Sequence, residues 1–417
     1  MLLAHGVHST ASEDGPRGAL RGQSLERMNA NSDHTAAPQV ECISTPARLR
    51  ARATAWQELL NRDPHATAYQ SIPWLLTWMA RHPSATPAVL IARRGEAVTA
   101  ALPLCAYPLR FPGRKIHVIR FLADNDCDYC TALSNPEFPE DLSSLWNAVL
   151  ECRAWSLIDL RYVTGESPLV TLAAAPRSGF LVDRQQQDTA PFLDIRVDWR
   201  HSVSSNHRSQ VLRRLRQLRA EGTVTFDVAR TPGEVSEMLQ QLSAMHIARW
   251  RRRRETSIFA VPEDRDWLHA ATHALHQQGL LYLCRLSLNG TPISIGLYCL
   301  ARRRLTNYMV SFDEEYRRFG PVHLMVMMAI DDARARNLAD IHDFGRGSEE
   351  YKLRWTRAAQ PVSRILVARS SPTGRAAFWW ATRAQPFIWE HYAAATFLRE
   401  IRRRLRMRRS ASEEAGQ

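Results

Sequence analysis

The stretch RLTNYMVSFDEEYRRFGP, residues 304–321, carries the pattern that decides the fold. Its apolar and aromatic start predicts a strand over Arg304–Phe312, and the loop that follows ends at Gly320. Proline suits the first position of a helix, so we predict a helix over Pro321–Arg336. A glycine loop that leads from a strand into a helix presents free backbone N–H groups at the positive end of the helix dipole. The pattern therefore favours binding of an anion such as a pyrophosphate, although an ordinary strand-to-helix turn fits it as well.

The segments around this stretch follow an order that occurs twice in the chain. In each copy, a hairpin and a third strand are followed by a helix and then by a further strand. The second hairpin turns at Asn289-Gly290, a strong hairpin signal. The predicted segments are Leu280–Leu288, Pro292–Leu300, Arg304–Phe312, Pro321–Arg336 and Asp340–Phe344 in the second copy, and Ala88–Ala92, Val98–Tyr107, Ile116–Leu122, Leu142–Arg153 and Leu157–Leu160 in the first. The order indicates a duplicated α/β unit.

The length of 417 residues exceeds what one hydrophobic core usually serves, so we expect two domains. We predict a disordered leader over residues 1–42 and an N-terminal domain over 43–195. A C-terminal domain, 196–372, follows and includes a last strand at Val362–Ala368. A helix rich in aromatic and basic residues, with its tail, completes the chain over 373–417. The predicted fold class is α/β (α+β).

Three arginine-rich segments carry the net charge of +13. Residues 200–221 contribute +5, residues 249–254 contribute +5 and residues 399–409 contribute +6. Such segments attract polyanions, which include nucleotide phosphates, nucleic acid and anionic lipid headgroups. Solvated helix faces in a chain that favours arginine over lysine would explain them equally well.

The cysteines and the hydropathy pattern indicate a reduced, cytoplasmic compartment. Seven cysteines, an odd number scattered along the chain, do not suggest a disulfide framework. Cys127 and Cys130 form a lone C-x-x-C without a second pair, so we predict no metal. No apolar stretch approaches the ~18 to 20 residues that span a bilayer, and we expect no signal peptide. The aromatic and arginine residues near the C-terminus suit a peripheral contact with the inner membrane, or a helix that packs on the domain.

The densest polar cluster of the sequence is DFGRGSEEYK, Asp343–Lys352. Lys352 and Lys115 are the only lysines among 55 basic residues. An amine is a compact, titratable charge that a guanidinium does not replace, so a retained lysine indicates a function at this position. Chance retention on a helix face is the alternative.

The loop before the predicted helix resembles a known signature. Arg317 and Gly320 match the spacing of Gln/Arg-x-x-Gly-x-Gly/Ala, the acyl-CoA-binding signature of the GNAT superfamily. Val322 departs from it, because the last position of the signature is a small residue.

A longer run resembles the CelD-like or FemAB-related subgroup of GNAT acyltransferases. The resemblance extends over about residues 45–400 and is closest over 192–356. It implies two tandem GNAT-like domains with a cleft between them, of which 196–372 would bind acyl-CoA. The residues that carry it are Arg249-Trp250, Gly290, Asp313, Gly320-Pro321, Asp343–Gly347, Tyr351-Lys352 and Trp355.

The resemblance also implies how the acyl donor binds. The donor would be acetyl-CoA or another acyl-CoA, used without a metal and without an acyl-enzyme. An open strand edge offers unpaired N–H and C=O groups that would hold the pantetheine arm, along Asn307, Met309 and Ser311. The residues that would hold the diphosphate are Arg317, Arg318, Gly320, Val322 and His323.

Four residues of the polar cluster are candidates for the chemistry. Asp343 would take the proton of the amine, or only cap the following turn. Glu350 would also act as a base, or compensate the helix dipole. Tyr351 would protonate the leaving thiolate, or pack with its hydroxyl hydrogen-bonded. Lys352 would neutralise charge on the acyl carbonyl or hold a substrate phosphate.

Residues of both halves are candidates for binding the acceptor. Asp128 and Tyr129 belong to an acidic patch that would hold an amine across the cleft, and solvated aspartates are the alternative. Trp250 would stack on a base or sugar ring with support from arginine, or pack on the core. The other candidates are Arg208, His246, Arg249 and Arg346.

We therefore expect an N-acyltransferase of GNAT type. Its acceptor would be an amine on a sugar or sugar nucleotide of cell-surface polysaccharide synthesis, which is the setting that the resemblance implies. An aminoacyl transferase that uses charged tRNA, as true FemAB proteins do, is the first alternative, since the arginine segments suit an RNA backbone. A non-catalytic scaffold that binds a synthase or the membrane surface is the second.

Overall fold

The computed structural model describes residues 37–111 and 114–384. The strands of this part are β1 Gln39–Ile43, β2 Thr86–Arg94, β3 Ala97–Phe111, β4 Arg114–Phe121, β5 Leu133–Ser134, β6 Leu157–Thr164, β7 Phe180–Asp194, β8 Val224–Val228, β9 Leu281–Leu288, β10 Thr291–Ala301, β11 Arg304–Phe312, β12 Ile341–Asp343 and β13 Ala359–Arg369. The α-helices are α1 Pro46–Arg50, α2 Ala53–Arg62, α3 Ile72–Arg81, α4 Pro139–Glu151, α5 Pro168–Ala174, α6 Trp199–Ser202, α7 Ser205–Ala220, α8 Pro232–Arg252, α9 Pro262–Gln277, α10 Pro321–Ala335, α11 Glu350–Leu353 and α12 Pro372–Trp379. This mixture confirms the predicted α/β class.

The strands form one continuous mixed sheet in the order β1-β2-β3-β4-β6-β13-β7-β12-β11-β10-β9-β8, with β5 on the side of β3. Two of the described strand pairs are parallel, β4 with β6 and β11 with β12. We call β1–β7 with β13 the first lobe and β8–β12 the second lobe. Strand β7 joins them, because Phe180–Pro191 pairs with β13 and Phe192–Asp194 pairs with β12.

The last strand crosses back into the first lobe. Strand β13 lies between β6 and β7, antiparallel to both. The sequence placed this strand in the predicted domain 196–372, but its hydrogen bonds belong to the sheet of the other half. A strand inserted between two others satisfies its backbone groups on both edges, so the first lobe depends on residues far beyond the predicted boundary at 195.

A shared core fixes the two lobes against each other. Helix α3 packs on α9, and the Trp74 ring meets the rings of Trp267 and Tyr308 edge-on at 5.3 and 5.6 Å. Arg81 forms ion pairs with Asp126 of the first lobe and Asp264 of the second. A second core lies between α7, α10 and strands β9–β12, where Trp199 and Trp355 are fully buried.

Several predictions concern the ends of the chain. The predicted disordered leader ends too late, because Gln39–Ile43 pair with β2 as an edge strand. The rest of the predicted leader up to residue 36, and the predicted aromatic and basic tail from residue 385 on, lie outside the described residues. Within 37–111 and 114–384, no helix is both long enough and apolar enough to cross a membrane.

Candidate active site

Strands β11 and β12 separate at the centre of the second lobe. They pair only over Arg304–Thr306, and the last pair is Thr306 with Asp343. Strand β11 also pairs with β10 on its other edge, where Asn307 lies opposite Tyr298 and Met309 lies opposite Leu297. Tyr308 between them has no opposite residue in β10 and is the extra residue of a bulge. A bulge bends the strand that carries it. Beyond Thr306, the β11 edge that faced β12 is therefore left without a strand partner along Asn307–Phe312.

This open edge carries the three residues predicted to lie along a pantetheine arm. Asn307 and Ser311 are buried, yet the Oδ1 atom of Asn307 and the Oγ atom of Ser311 lack a hydrogen-bond partner among the described residues. Met309 is buried beside them. Buried polar atoms are normally hydrogen-bonded, so two unsatisfied oxygens on one open edge indicate a place for a ligand or water.

The turn after β11 leads into α10 as the sequence predicts. Glu314–Phe319 form a 3-10 turn, and Gly320 adopts the left-handed conformation with φ 61° as the N-cap of α10. Glycine is needed there for a second reason, since a Cβ atom would lie 2.6 Å from Nη1 of Arg214. The guanidinium of Arg214, which comes from α7, therefore lies directly on the turn.

Arg214 has no carboxylate partner among the described residues. Burial lowers the pKa of its guanidinium, and the positive charges of Arg354 and Arg213 lower it further. A helix N-terminus is itself a positive pole. Arg214 and the N-terminus of α10 are two positive groups with no carboxylate between them among the described residues, so an anion that binds there stabilises the arrangement.

Two histidines lie beneath this turn and stay neutral. The ring of His323 in α10 packs edge-on against the ring of His207 in α7 at 5.1 Å, and His323 Nδ1 accepts a hydrogen bond from Trp355 at 3.2 Å. Burial lowers the pKa of His323 to about 3, and it lowers that of His207 to about 4; nearby arginines add to both shifts. At neutral pH these imidazoles therefore pack as uncharged rings.

The arginines that the sequence assigned to the diphosphate lie at the rim. Arg317 is 74% exposed and pairs with Glu314 at 3.3 Å, and Arg318 is 69% exposed and pairs with Glu221 at 2.9 Å. Arg249 of α8 also pairs with Glu314 at 3.4 Å, and its guanidinium lies 4.4 Å from the centre of the Phe312 ring. The pKa of Arg249 is lowered by burial and then by Arg253 and Arg317. The arginine segment at the end of α8 thus meets the same turn.

Asp343 joins the two lobes at the point where β12 ends. Its Oδ1 atom accepts hydrogen bonds from Tyr129 Oη at 2.6 Å and from the backbone N–H of Gly345 at 2.8 Å. Its Oδ2 atom pairs with Arg304 at 2.8 Å. The carboxylate is fully buried, so it caps the following turn and holds Tyr129 across the lobes.

Asp128 and Arg346 form an ion pair beside this junction. Asp128 Oδ1 lies 3.4 Å from Arg346 Nε, and about a fifth of each side chain is exposed, 23% and 22% respectively. Burial raises the pKa of Asp128 to about 6, although Arg346 and Lys352 oppose the shift. Arg346 also donates from Nη2 to the carbonyl of Cys127 at 3.3 Å. The pair is thus partly exposed and not sealed inside the core.

Lys352 holds the loop that carries Arg346. Its side chain is 4% exposed, and Nζ forms an ion pair with Glu349 at 2.8 Å. It also donates to the carbonyls of Gly345, at 3.3 Å, and Arg346. The loop lies against β11, since a Cβ atom on Gly345 would lie 2.9 Å from the carbonyl oxygen of Asn307.

Two other candidates of the polar cluster differ in burial. Tyr351 is largely enclosed; its hydroxyl accepts a hydrogen bond from Asn307 Nδ2 at 3.5 Å, and burial raises its pKa. Glu350 is exposed and pairs with Arg354. Only Tyr351 therefore faces the open edge of β11.

The remaining sequence candidates make local contacts. Arg208 donates to the carbonyl of Arg200 at 2.7 Å. His246 shares a hydrogen bond with Ser257 at 2.8 Å and stacks on Trp250 at 5.3 Å. Val322 follows Pro321 in the first turn of α10 and is half-buried.

Sequence reasoning missed two residues of the site. Arg214 lies in a recognised arginine segment, but only the packing of α7 on α10 brings it to Gly320. The ring of Tyr162 lies under Arg346. The sequence around Tyr162 is that of an ordinary strand, so it did not indicate that this residue belongs to the site. Among the described residues, no group of three His, Cys, Asp or Glu side chains is placed to hold a metal.

Comparisons with known proteins identify part of the chain. The family model described as acetyltransferase (GNAT) domain matches residues 205–353, which include α7, the turn before α10 and the Asp343–Lys352 cluster. A crystal structure of FemX superposes with a TM-score of 0.56 at 13% identity, over 78% of this chain and 96% of that one. The C-terminal domain (DUF2156) of a putative lysylphosphatidylglycerol synthetase from Agrobacterium fabrum gives 0.51 at 12% identity, over 80% and 95%. Both likenesses concern the fold, and no curated protein matches the sequence.

Proposed function

We propose, from the premise that residues 205–353 form a GNAT acyltransferase domain, that the protein transfers an acyl group from acyl-CoA to an amine. We propose acetyl as the acyl group and, from the resemblance to the CelD-like or FemAB-related subgroup, a sugar or sugar nucleotide of cell-surface polysaccharide synthesis as the acceptor. The observation that carries the proposal is the unpaired Arg214 on the N-terminus of α10, at the end of the open edge of β11.

The donor binds along the second lobe. Its diphosphate contacts the free N–H groups after Gly320 and the guanidinium of Arg214, and Arg317 and Arg318 approach from the rim. Its pantetheine arm pairs with the open edge of β11 over Asn307–Ser311. This path brings the thioester to the place where β11 leaves β12, next to Tyr351 and the Asp128–Arg346 pair.

The chemistry uses one group from each lobe. The amine nitrogen attacks the thioester carbonyl carbon, a C–N bond forms and the C–S bond breaks. The proton of the amine passes to the carboxylate of Asp128, which suits a base because its pKa of about 6 is close to neutral pH. The thiolate takes a proton from Tyr351, whose hydroxyl accepts a hydrogen bond from Asn307 and so keeps its own proton available.

Lys352 and Asp343 act in this proposal as positioning residues. The Nζ atom of Lys352 is engaged by Glu349 and by the carbonyls of Gly345 and Arg346. The oxygens of Asp343 are engaged by Tyr129, Gly345 and Arg304. Both residues thereby fix the loop that places Arg346 against Asp128.

The donor is tested by thermal unfolding with CoA, acetyl-CoA and longer acyl-CoAs. A ligand that binds only the native state raises the unfolding midpoint with its concentration. We expect a rise with CoA and a larger rise with the preferred acyl-CoA. An unchanged midpoint with every CoA compound at millimolar concentration contradicts the proposal.

A charged tRNA is the second candidate donor, and one observation favours it. Exposed arginines on α7 and at the end of α8 extend the positive surface beyond the size of one diphosphate; they are Arg213, Arg216, Arg219 and Arg251–Arg254. Contacts with nucleic-acid phosphates weaken steeply as salt rises. Protein purified at low salt that carries RNA, releases it at high salt and ignores CoA would support this donor instead.

A further inference from the structure

Tyr162 has an unusual backbone conformation next to the Asp128–Arg346 pair. Its φ of 58° lies in the left-handed region, which a bulky aromatic residue rarely adopts. In the pairing of β6 with β13, Val163 lies opposite Ser363 and Leu160 lies opposite Ile365. Two residues of β6 therefore lie opposite one residue of β13, and Tyr162 is one of the two residues of this bulge. Strained residues persist where the surrounding structure requires them, and they cluster at functional sites.

The bulge is held from β7, which lies on the other side of β13. Strand β7 also has an extra residue, Gln187, between the residues that pair with Val362 and Ser363 of β13. The side chain of Gln187 accepts a hydrogen bond from the backbone N–H of Tyr162 at 3.1 Å. Two bulges on opposite edges of β13 thus redirect one side chain, which is what bulges beside active sites commonly do.

Tyr162 contacts Arg346 and the loop that carries Asp128. Its ring lies under the guanidinium of Arg346, with 3.6 Å between the guanidinium carbon and the ring centre. Its carbonyl accepts a hydrogen bond from the backbone N–H of Cys130 at 2.9 Å, which anchors the loop that carries Asp128. One strained residue therefore sets the position of Arg346 and of Asp128.

Arg346 keeps part of its binding capacity unused. Its Nη2 atom donates to Cys127, and its Nε atom faces Asp128 without a hydrogen bond of good geometry. Among the described residues, Asp128 is the one carboxylate that pairs with Arg346, and 22% of the Arg346 side chain is exposed. A guanidinium braced by a ring on one face and open at one edge suits a carboxylate or a phosphate.

We infer that Tyr162 is a positioning residue of an acceptor site in which Arg346 binds an anionic group of the molecule whose amine meets Asp128. The inference rests on the proposed acyl transfer and deepens it, because it defines the acceptor as an amine that also carries a carboxylate or a phosphate. Asp128 and Arg346 have opposite charges, and each matches one charge of such an acceptor.

The experiment compares pairs of amines that differ only in whether they carry an anionic group. The protein is saturated with CoA, so that the proposed diphosphate site at the N-terminus of α10 is already occupied. Thermal midpoints are measured against glucosamine 6-phosphate and glucosamine, and against β-alanine and β-alaninamide. We expect the anionic member of at least one pair to bind about tenfold tighter or more, and the pair that responds tells phosphate from carboxylate.

Four variants separate positioning from folding. Asparagine tolerates the left-handed backbone, so Tyr162→Asn keeps this conformation but removes the ring. We expect it to abolish the preference for the anionic member, and we expect the same of Arg346→Gln. Tyr162→Phe keeps the ring and should keep the preference. Phe180→Leu is the matched control, because Phe180 stacks on Arg369 at 5.3 Å elsewhere in the first lobe, and it should change nothing in the preference.

Equal midpoints for the neutral and anionic members of both pairs in wild type overturn the inference, and so does a preference that survives Tyr162→Asn. Loss of the midpoint rise with CoA alone is a separate outcome, since it would contradict the proposed donor and not this acceptor site.

A pH profile adds a readout that a merely structural role would not change. Arg346 lowers the pKa of Asp128, so Tyr162→Asn should shift the acidic limb of kcat/KM to higher pH. The other groups that influence this carboxyl are Lys352, which opposes the rise, and Asp343, which adds to it; the phenols of Tyr69, Tyr129, Tyr308 and Tyr351 and the thiol of Cys299 also face it.

Discussion

At the scale of single residues, Asp128 determines the expected pH dependence. It acts as a base only when ionised, and burial raises its pKa to about 6. We therefore expect kcat/KM to rise about tenfold per pH unit below pH 6 and to level off above it. Asp128→Asn should lower kcat by about 100-fold or more and remove this limb. Glu166→Gln, on an exposed carboxylate 3.7 Å from Arg304, is the control. A profile without a limb between pH 5 and about 7 contradicts the role of Asp128.

Lys352 gives a second prediction at this scale. Lys352→Arg should keep the fold but lower turnover by about tenfold, roughly 1.4 kcal/mol of barrier, because a planar guanidinium does not reproduce the three contacts of the ammonium. Lys352→Met should cost about 3 kcal/mol of unfolding free energy, since it removes the ammonium that is paired with the partly buried carboxylate of Glu349. Denaturant unfolding and steady-state kinetics measure the two effects. Wild-type turnover in the arginine variant would remove Lys352 from the site.

Residue types in the polar cluster could be recognised from the sequence, but their orientation could not. The cluster Asp343–Lys352 is the loop of the site, yet Asp343 has all its contacts inside the protein and Glu350 faces solvent. The partners of a side chain depend on which distant segment packs against it. Tyr129 and Arg304, both far in sequence, engage Asp343, and no local pattern encodes such a contact.

At the scale of elements, the loop after β12 depends on Gly345. This residue has a φ of 71°, and a Cβ atom would lie 2.7 Å from Oδ2 of Asp128 and 2.9 Å from the carbonyl of Asn307. Gly345→Ala should therefore cost about 2 kcal/mol or more of unfolding free energy and lower activity. Gly95 has a φ of 61° and nothing within 4 Å, so Gly95→Ala shows the cost of the backbone conformation alone. Equal losses in the two variants would mean that the loop can move away from β11.

Periodicity and turn signals found most elements, and β7 shows why some were missed. The strands and the helix around Asn289-Gly290 and Gly320-Pro321 lie within a few residues of their predicted bounds. Strand β7, with the sequence FLVDRQQQDTAPFLD, has a polar centre and little apolar alternation. It is a strand because β13 and β12 bind its edges. Bulges such as those at Tyr162 and Tyr308 likewise arise from pairing with neighbours and have no signal in one strand.

At the scale of the whole molecule, β13 makes the two lobes inseparable. A chain that ends at residue 357 lacks the strand between β6 and β7, so both strands expose an unpaired edge. We expect this truncation to be insoluble or to lose cooperative unfolding, and a fragment of residues 37–195 to behave in the same way. A chain that ends at residue 384 is the control and should unfold cooperatively. A folded 37–195 fragment would show that β13 is dispensable.

The lobes also differ in their capacity for a donor. In the repeated order of elements, α4 of the first lobe corresponds to α10. Its first turn carries Glu140 and Asp141, and the buried Asp141 is paired with Arg94 at 2.7 Å. These carboxylates already compensate the positive pole of α4 and repel a further anion. We therefore expect one donor site per chain, at α10.

Calorimetric titration of acetyl-CoA into the wild-type protein and into Arg214→Gln tests the central claim most directly. The account predicts one site per chain in the wild type and an affinity at least about tenfold lower in the variant, because a charged hydrogen bond to the diphosphate is lost. Arg177→Gln, which changes an exposed arginine in the first lobe, should bind as the wild type does. Absence of binding to the wild type, or equal affinity in Arg214→Gln, would contradict the assignment of the α10 turn as the donor site.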